Sequence, residues 1–157
     1  MKRFISIKVL AVTLALFVGT VAVAAAERAF AANGRGIATF TIDSNGNAVA
    51  DVTGSGTATH LGAYTNTGRV VFTPDPNNPT IAYPSGQATL TAANGDKLNI
   101  IVEDGSSDLT TGIGIGHFRF VGGTGRFTNA SGITSYVVEQ NLLTGAYELT
   151  IVGSIDF

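Results

Sequence analysis

From about residue 36 to the end of the chain, apolar side chains recur at every second position in short runs, and Gly, Asn, Asp or Pro interrupts each run. A two-residue period puts successive side chains on opposite faces, which marks half-buried strands rather than helices. Eight such runs can be marked out: 36–43 (GIATFTID), 48–61 (AVADVTGSGTATHL), 69–73, 87–93, 97–103, 112–121, 132–141 and 146–157. Asn45-Gly46, Asn94-Gly95-Asp96 and Leu143-Thr144-Gly145 supply the positive φ angles of tight hairpins. Gly54 and Gly56 in the second run point to a bulge or a barrel corner. Pro74, Pro76 and Pro79 imply a loop, since proline cannot donate to a sheet ladder, and 104–111 reads as another. The expected fold is all-β, an eight-stranded antiparallel β-barrel that abolishes free edges. A two-sheet β-sandwich is the runner-up.

What the interior holds depends on which face turns inward. Ile37, Leu98, Ile100, Val102, Val137, Leu149 and Ile151 are the candidate inward positions, and eight strands enclose either packed side chains or one small ligand. In the run 112–121, Gly112, Gly114, Gly116, Phe118 and Phe120 share one face, and Ile113, Ile115, His117 and Arg119 share the other. An inward histidine face makes a pocket with convergent polar groups. An inward phenylalanine face leaves His117 and Arg119 in solvent, the commoner place for arginine.

The last run alternates to an aromatic end at Phe157, as the strands of outer-membrane barrels do. The second run opposes that reading. Its one face carries Asp51, Thr53, Ser55, Thr57 and Thr59, its other face Ala, Gly and His60, and neither suits lipid.

The N-terminus changes the picture of where the chain works. Lys2, Arg3 and Lys8 precede an uncharged stretch, 9–26, that ends in small residues. This is the layout of a secretory signal, cut after Ala26 or as late as Ala31. The expected organisation is a signal peptide over 1–26 and one barrel domain over 33–157, secreted or periplasmic, with no membrane contact after cleavage. Removing residues 1–26 takes three of the nine basic residues and none of the eleven acidic ones, leaving a net charge of −5. An acidic domain is a poor match for nucleic acid, which needs a basic surface. The absence of cysteine excludes disulfides, thiolate metal sites and a cysteine nucleophile.

Candidate chemistry is sparse. His60, His117, Arg119 and Tyr136 are the polar handles for a ligand; histidine is the natural base near neutral pH. Asp104, Ser106 and Asp108 have the spacing of a calcium loop, but its closing acidic ligand would fall at Ile115. No metal or cofactor is expected. Glu103, Glu139 and Glu148 form no catalytic spacing, and Gly122-Gly123-Thr124-Gly125 lacks the lysine of a phosphate loop. Asn129-Ala130-Ser131 is a glycosylation sequon, meaningful only on a eukaryotic secretory route. An edge beside the proline loop could join two copies.

The segment 122–132, GGTGRFTNASG, resembles the signature of allene oxide cyclase-like and dirigent-like barrels. The resemblance is carried by Gly122, Gly123, Gly125, Phe127, Ala130 and Gly132, and more loosely by the strand pattern from Phe40 to Phe157. THLG (59–62) and the turn 94–96 are similar to those of exported bacterial members. The resemblance implies an allene oxide cyclase/calycin-like barrel with an apolar cavity. In such barrels, allene oxide cyclases close an unstable fatty-acid epoxide to a cyclopentenone and dirigent proteins steer radical coupling. None of their catalytic residues aligns with this sequence. The function so implied is binding of a small apolar molecule without demonstrated catalysis. Steered cyclisation or isomerisation, and a filled structural or interaction domain, are the alternatives.

Overall fold

The computed structural model describes residues 27–157; the expected signal segment 1–26 lies outside them. Eight strands, β1 (Arg28–Ile42), β2 (Ala48–Ala58), β3 (Gly62–Asp75), β4 (Asn78–Ala92), β5 (Lys97–Asp108), β6 (Ile113–Gly123), β7 (Ser131–Gln140) and β8 (Ala146–Ile155), close into a barrel. Each pairs antiparallel with its sequence neighbours, and β8 pairs back onto β1. The expected hairpin glycines stand at positive φ: Gly46 at 83°, Gly95 at 89° and Gly145 at 73°.

Three features depart from the expectation, each for a local reason. β1 begins at Arg28, well before residue 36. Its first residues pair with β8, and Phe30, 2% exposed, packs edge-on against Phe120 with ring centroids 4.9 Å apart. The prolines do not break the sheet either. β3 and β4 run through Pro74, Pro79 and Pro84, and only Pro76 sits in the turn. The β3–β4 ladder is continuous past Pro84, whereas the β4–β5 register jumps between Ala82 and Gln87, where Pro84 has no N–H to give. The dimer edge expected beside these prolines is therefore inside a closed ladder.

The third departure is in β5. It continues to Asp108 through a bulge between Val102 and Asp104, where residues 104–111 had suggested a loop. A bulge shifts the alternation by one residue. Leu98, Ile100 and Val102 face inward before it and Ser107 after it, while Glu103 and Asp104 both stand outside. The β6 alternation resolves with Phe118 and Phe120 inward and His117 and Arg119 outward. Of the candidate inward positions, Ile37 and Val137 prove to lie outside, 47% and 43% exposed. The outer face also carries Asp51, Arg69 and Arg119 in ion pairs, which does not fit a lipid-facing wall.

One end of the barrel is plugged. Between β6 and β7 the chain makes a 3₁₀ turn, Gly125–Phe127, that drives Phe127 into the core at 0% exposure. Thr124 latches this turn to β5 through both its N–H and its hydroxyl (to and from Lys97, 2.9 Å each). Gly122 and Gly125 take φ of 82° and 57°, and Ala130 is buried. The segment that carries the family resemblance is thus the plug.

Candidate functional site

The interior is built in layers from the plug outward. Leu98, Phe120, Ile151 and Ile155 pack on Phe30 and Phe127 and fill the closed end. Above them three tyrosines lean across glycine pairs on adjacent strands. A Cβ on Gly56 would meet the Tyr64 hydroxyl at 2.8 Å, one on Gly54 the Tyr147 hydroxyl at 2.6 Å, and one on Gly116 the Tyr136 hydroxyl at 2.9 Å. These glycines are paired in register with Gly34, Gly36 and Gly105 respectively. Bare backbone on two strands makes room for one phenol ring laid over it.

Beyond the tyrosines the barrel is open. A cavity of about 370 Å³ lies between this layer and the mouth formed by the hairpins β1–β2, β3–β4, β5–β6 and β7–β8. Its wall is small or apolar: Ala38, Ala48, Ala50, Val52, Val70, Ala88 and Val102 leave the space, and Phe40, Phe72, Leu109 and Leu142 frame the entrance. Phe118 stacks on Tyr136 at 4.1 Å between ring centroids and lines the same wall. Polar groups are few. Asn66 donates to the Tyr147 hydroxyl at 2.9 Å, Tyr136 and Ser107 add two more hydroxyls, and Gln87, Gln140 and Asp108 complete the polar lining.

All four tyrosines titrate late. Burial pushes Tyr64 and Tyr136 up to about 12 and raises Tyr147, and the Asp75 carboxylate bonded to Tyr83 raises that phenol. A raised phenol pKa contributes stability that is full below the ordinary value of 10.0 and is lost as pH climbs through the folded-state values. Alkaline titration of the native protein is expected to show no tyrosine ionising at its ordinary pKa. The buried phenolates should appear only as the barrel opens, followed by circular dichroism; a reversible four-tyrosine step near 10.0 would contradict the layered interior.

Of the four sequence-selected handles, only Tyr136 lines the cavity. His117 and Arg119 stand on the outer wall. The bulge sets Asp104 and Glu103 beside them, with His117 Nδ1 2.7 Å from Asp104 and the Arg119 Nε–H donating to Glu103 at 2.6 Å. His60 sits at the closed end in the β2–β3 turn, at φ 67°, with Nε2 3.1 Å from the Ala29 carbonyl oxygen and its ring 5.3 Å from Phe157. Its role there is to hold the turn, and Arg126 bonds its carbonyl. Asn66, Ser107, Tyr147 and the alanines of β2 were missed. Their signal was the run Ala48, Ala50, Val52, Gly54 on one face, too small to fill a barrel from its side. Among the described residues no group of three metal-ligating side chains comes together.

A closed antiparallel barrel of eight strands, plugged by the Gly-Gly-Thr-Gly segment and hollow at its other end, is a dirigent-like, allene oxide cyclase-like fold. Among solved structures the chain is similar to the pterocarpan synthase dirigent protein GePTS1, with a TM-score of 0.56 over 84% of this chain and 86% of that one at 12% identity. The likeness is one of fold. No protein-family model and no curated protein matches the sequence.

Proposed function

We propose that the protein is a binding barrel for a small apolar molecule, taken up through the single mouth and held above the tyrosine layer. The observation that carries this reading is the cavity of about 370 Å³, at the lower end of the range for small-molecule sites and lined by alanine, valine and phenylalanine. A barrel built only as a structural module has the side chains to fill that space, as this one does at its closed end. Export through the N-terminal segment is part of the same proposal. A second reading, steered ring closure, is favoured by the uncharged phenol of Tyr136 inside the apolar wall, where it can donate a hydrogen bond to a reacting oxygen. The neighbour's name, pterocarpan synthase, supports the same view of the cavity as a reaction chamber.

The test is titration of residues 27–157 with a neutral solvatochromic dye, with native mass spectrometry for stoichiometry. One dye per barrel is expected. Ala48→Trp, which places an indole in the cavity, should weaken binding at least about tenfold, because the apolar area that drives it is no longer available. His117→Ala, on the outer wall, should leave binding unchanged. Unsaturable binding, or binding indifferent to Ala48→Trp in a variant that still melts cooperatively, would sink the proposal.

A further inference from the structure

The charge and hydrogen-bonding inventory of the cavity narrows the class of molecule it takes, an inference that rests on the binding reading above. Among the described residues no Lys, Arg or His lines the cavity. Two hydroxyls on its β5–β7 wall are unspent. Tyr136, 5% exposed, leans over Gly116 toward Gly105, and Ser107 follows two residues along β5 on the same inner face. Among the described residues neither hydroxyl has a hydrogen-bond partner, unlike Tyr147, which is bonded to Asn66, and Tyr64, which donates to the Asn33 carbonyl at 3.3 Å. Among the described residues no side-chain nitrogen or oxygen is both fully buried and unpaired, and both residues line the cavity.

The mouth adds sign to this. Its four hairpin tips carry Asp43, Asp75 and Asp108 and no basic residue, whereas Arg28, Lys97 and Arg126 sit at the closed end. Asp108 itself lines the cavity. Each carboxylate accepts backbone N–H bonds of its own turn, from Asn45 and Asn47 at 2.9 Å, Asn77 at 2.8 Å and Thr110 at 2.7 Å. The Asn47 side-chain amide on Asp43, the Asn77 N–H on Asp75 and the Thr110 hydroxyl on Asp108, together with the other turn N–H groups, hold all three below the ordinary carboxylate pKa and keep them ionised. We infer that the cavity takes an apolar molecule with a cationic, ammonium-type end at the mouth and an oxygen acceptor at its inner end, bonded by Tyr136, with Ser107 lying nearer the mouth. Carboxylates and phosphates of the same size are disfavoured, because their charge would meet Asp108 in the wall, with Asp43 and Asp75 at neighbouring hairpin tips, and find no cationic side chain among the described lining residues.

The experiment compares decylammonium, decanol and decanoate below their micelle concentrations, by displacement of the neutral dye. The ammonium is expected to bind at least about tenfold tighter than the carboxylate in low salt, with the gap closing as salt screens the mouth. Leu142→Lys at the rim should recover decanoate binding. A methyl ether at the far end of the ammonium should tighten it several-fold in the parent protein and give no gain in Tyr136→Phe. Decanoate binding as tightly as the ammonium overturns the charge assignment, and an ether gain that survives Tyr136→Phe overturns the inner anchor. In either case the binding reading stands. If no member of the series displaces the dye, the binding reading itself fails.

Discussion

A chain that begins at Ala32 is expected to be at least about 4 kcal/mol less stable than one that begins at Glu27. The difference is five residues, but four of them supply four of the ten paired positions in the seam that closes the barrel. Arg28, Ala29, Phe30 and Ala31 pair with Ile155, Ser154, Gly153 and Val152. Ala31 also exchanges hydrogen bonds with Thr59, its N–H donating to the hydroxyl at 2.8 Å and its carbonyl accepting the Thr59 N–H at 2.9 Å. Loss of a buried phenylalanine alone costs about 3–5 kcal/mol, and the exposed end of β8 becomes a free edge open to association. Against a typical total of about 5–15 kcal/mol, such a chain is marginal. Thermal unfolding and light scattering of 27–157 and 32–157, made side by side, check this. Equal melting temperatures would show that Phe30 does not hold the seam. A cut after Ala26 would spare β1, whereas a cut after Ala31 would truncate it.

The second large effect is expected at Phe127. It is fully buried, touches Phe157 with ring centroids 5.0 Å apart, and is held by hydrogen bonds from its own N–H to the Thr124 carbonyl and from the Ala130 N–H to its carbonyl, both 3.0 Å. Phe127→Ala should lower stability by about 3–5 kcal/mol and Tm by on the order of 10 °C. Phe127→Leu, which refills most of the space, should cost far less. Hydrogen exchange should show the loss first at the closed end, in the β4–β5 and β6–β7 connections. An alanine variant as stable as the parent would mean that the 3₁₀ turn is a lid rather than a plug.

The strand count, the closure and three of the hairpin turns could be read from the alternation, because those turns carry a glycine or asparagine that hairpin geometry demands. The resemblance in 122–132 pointed to the right fold through residues whose work is packing. The rest was hidden for identifiable reasons. Arg28-Ala29-Phe30-Ala31 has the small-x-small look of a cleavage region, and the same smallness lets β1 lie against β8. Pro84 loses a donor toward β5 only, so a proline that reads as a strand breaker sits in a strand. The bulge beside Val102 reverses the inside and outside of β5, and no periodicity survives a reversal. His117 and Arg119 attracted attention because histidine and arginine do most chemistry, yet their partners were Asp104, which the bulge turned outward, and Glu103, which alternation already placed there. Tyr136 alone among the handles reached the cavity, and it did so by alternation with Thr134 on the inner face of β7.

The plug has a kinetic consequence. A vessel sealed at one end has no through-flow: whatever enters between the hairpin tips must leave between them, and a second molecule cannot push the first out from behind. Exchange is then limited by dissociation, and its rate does not rise with the concentration of the incoming competitor. Were the cavity a reaction chamber, product would have to vacate the mouth before the next substrate could load, so turnover would be governed by the four hairpins at the rim and not by the walls.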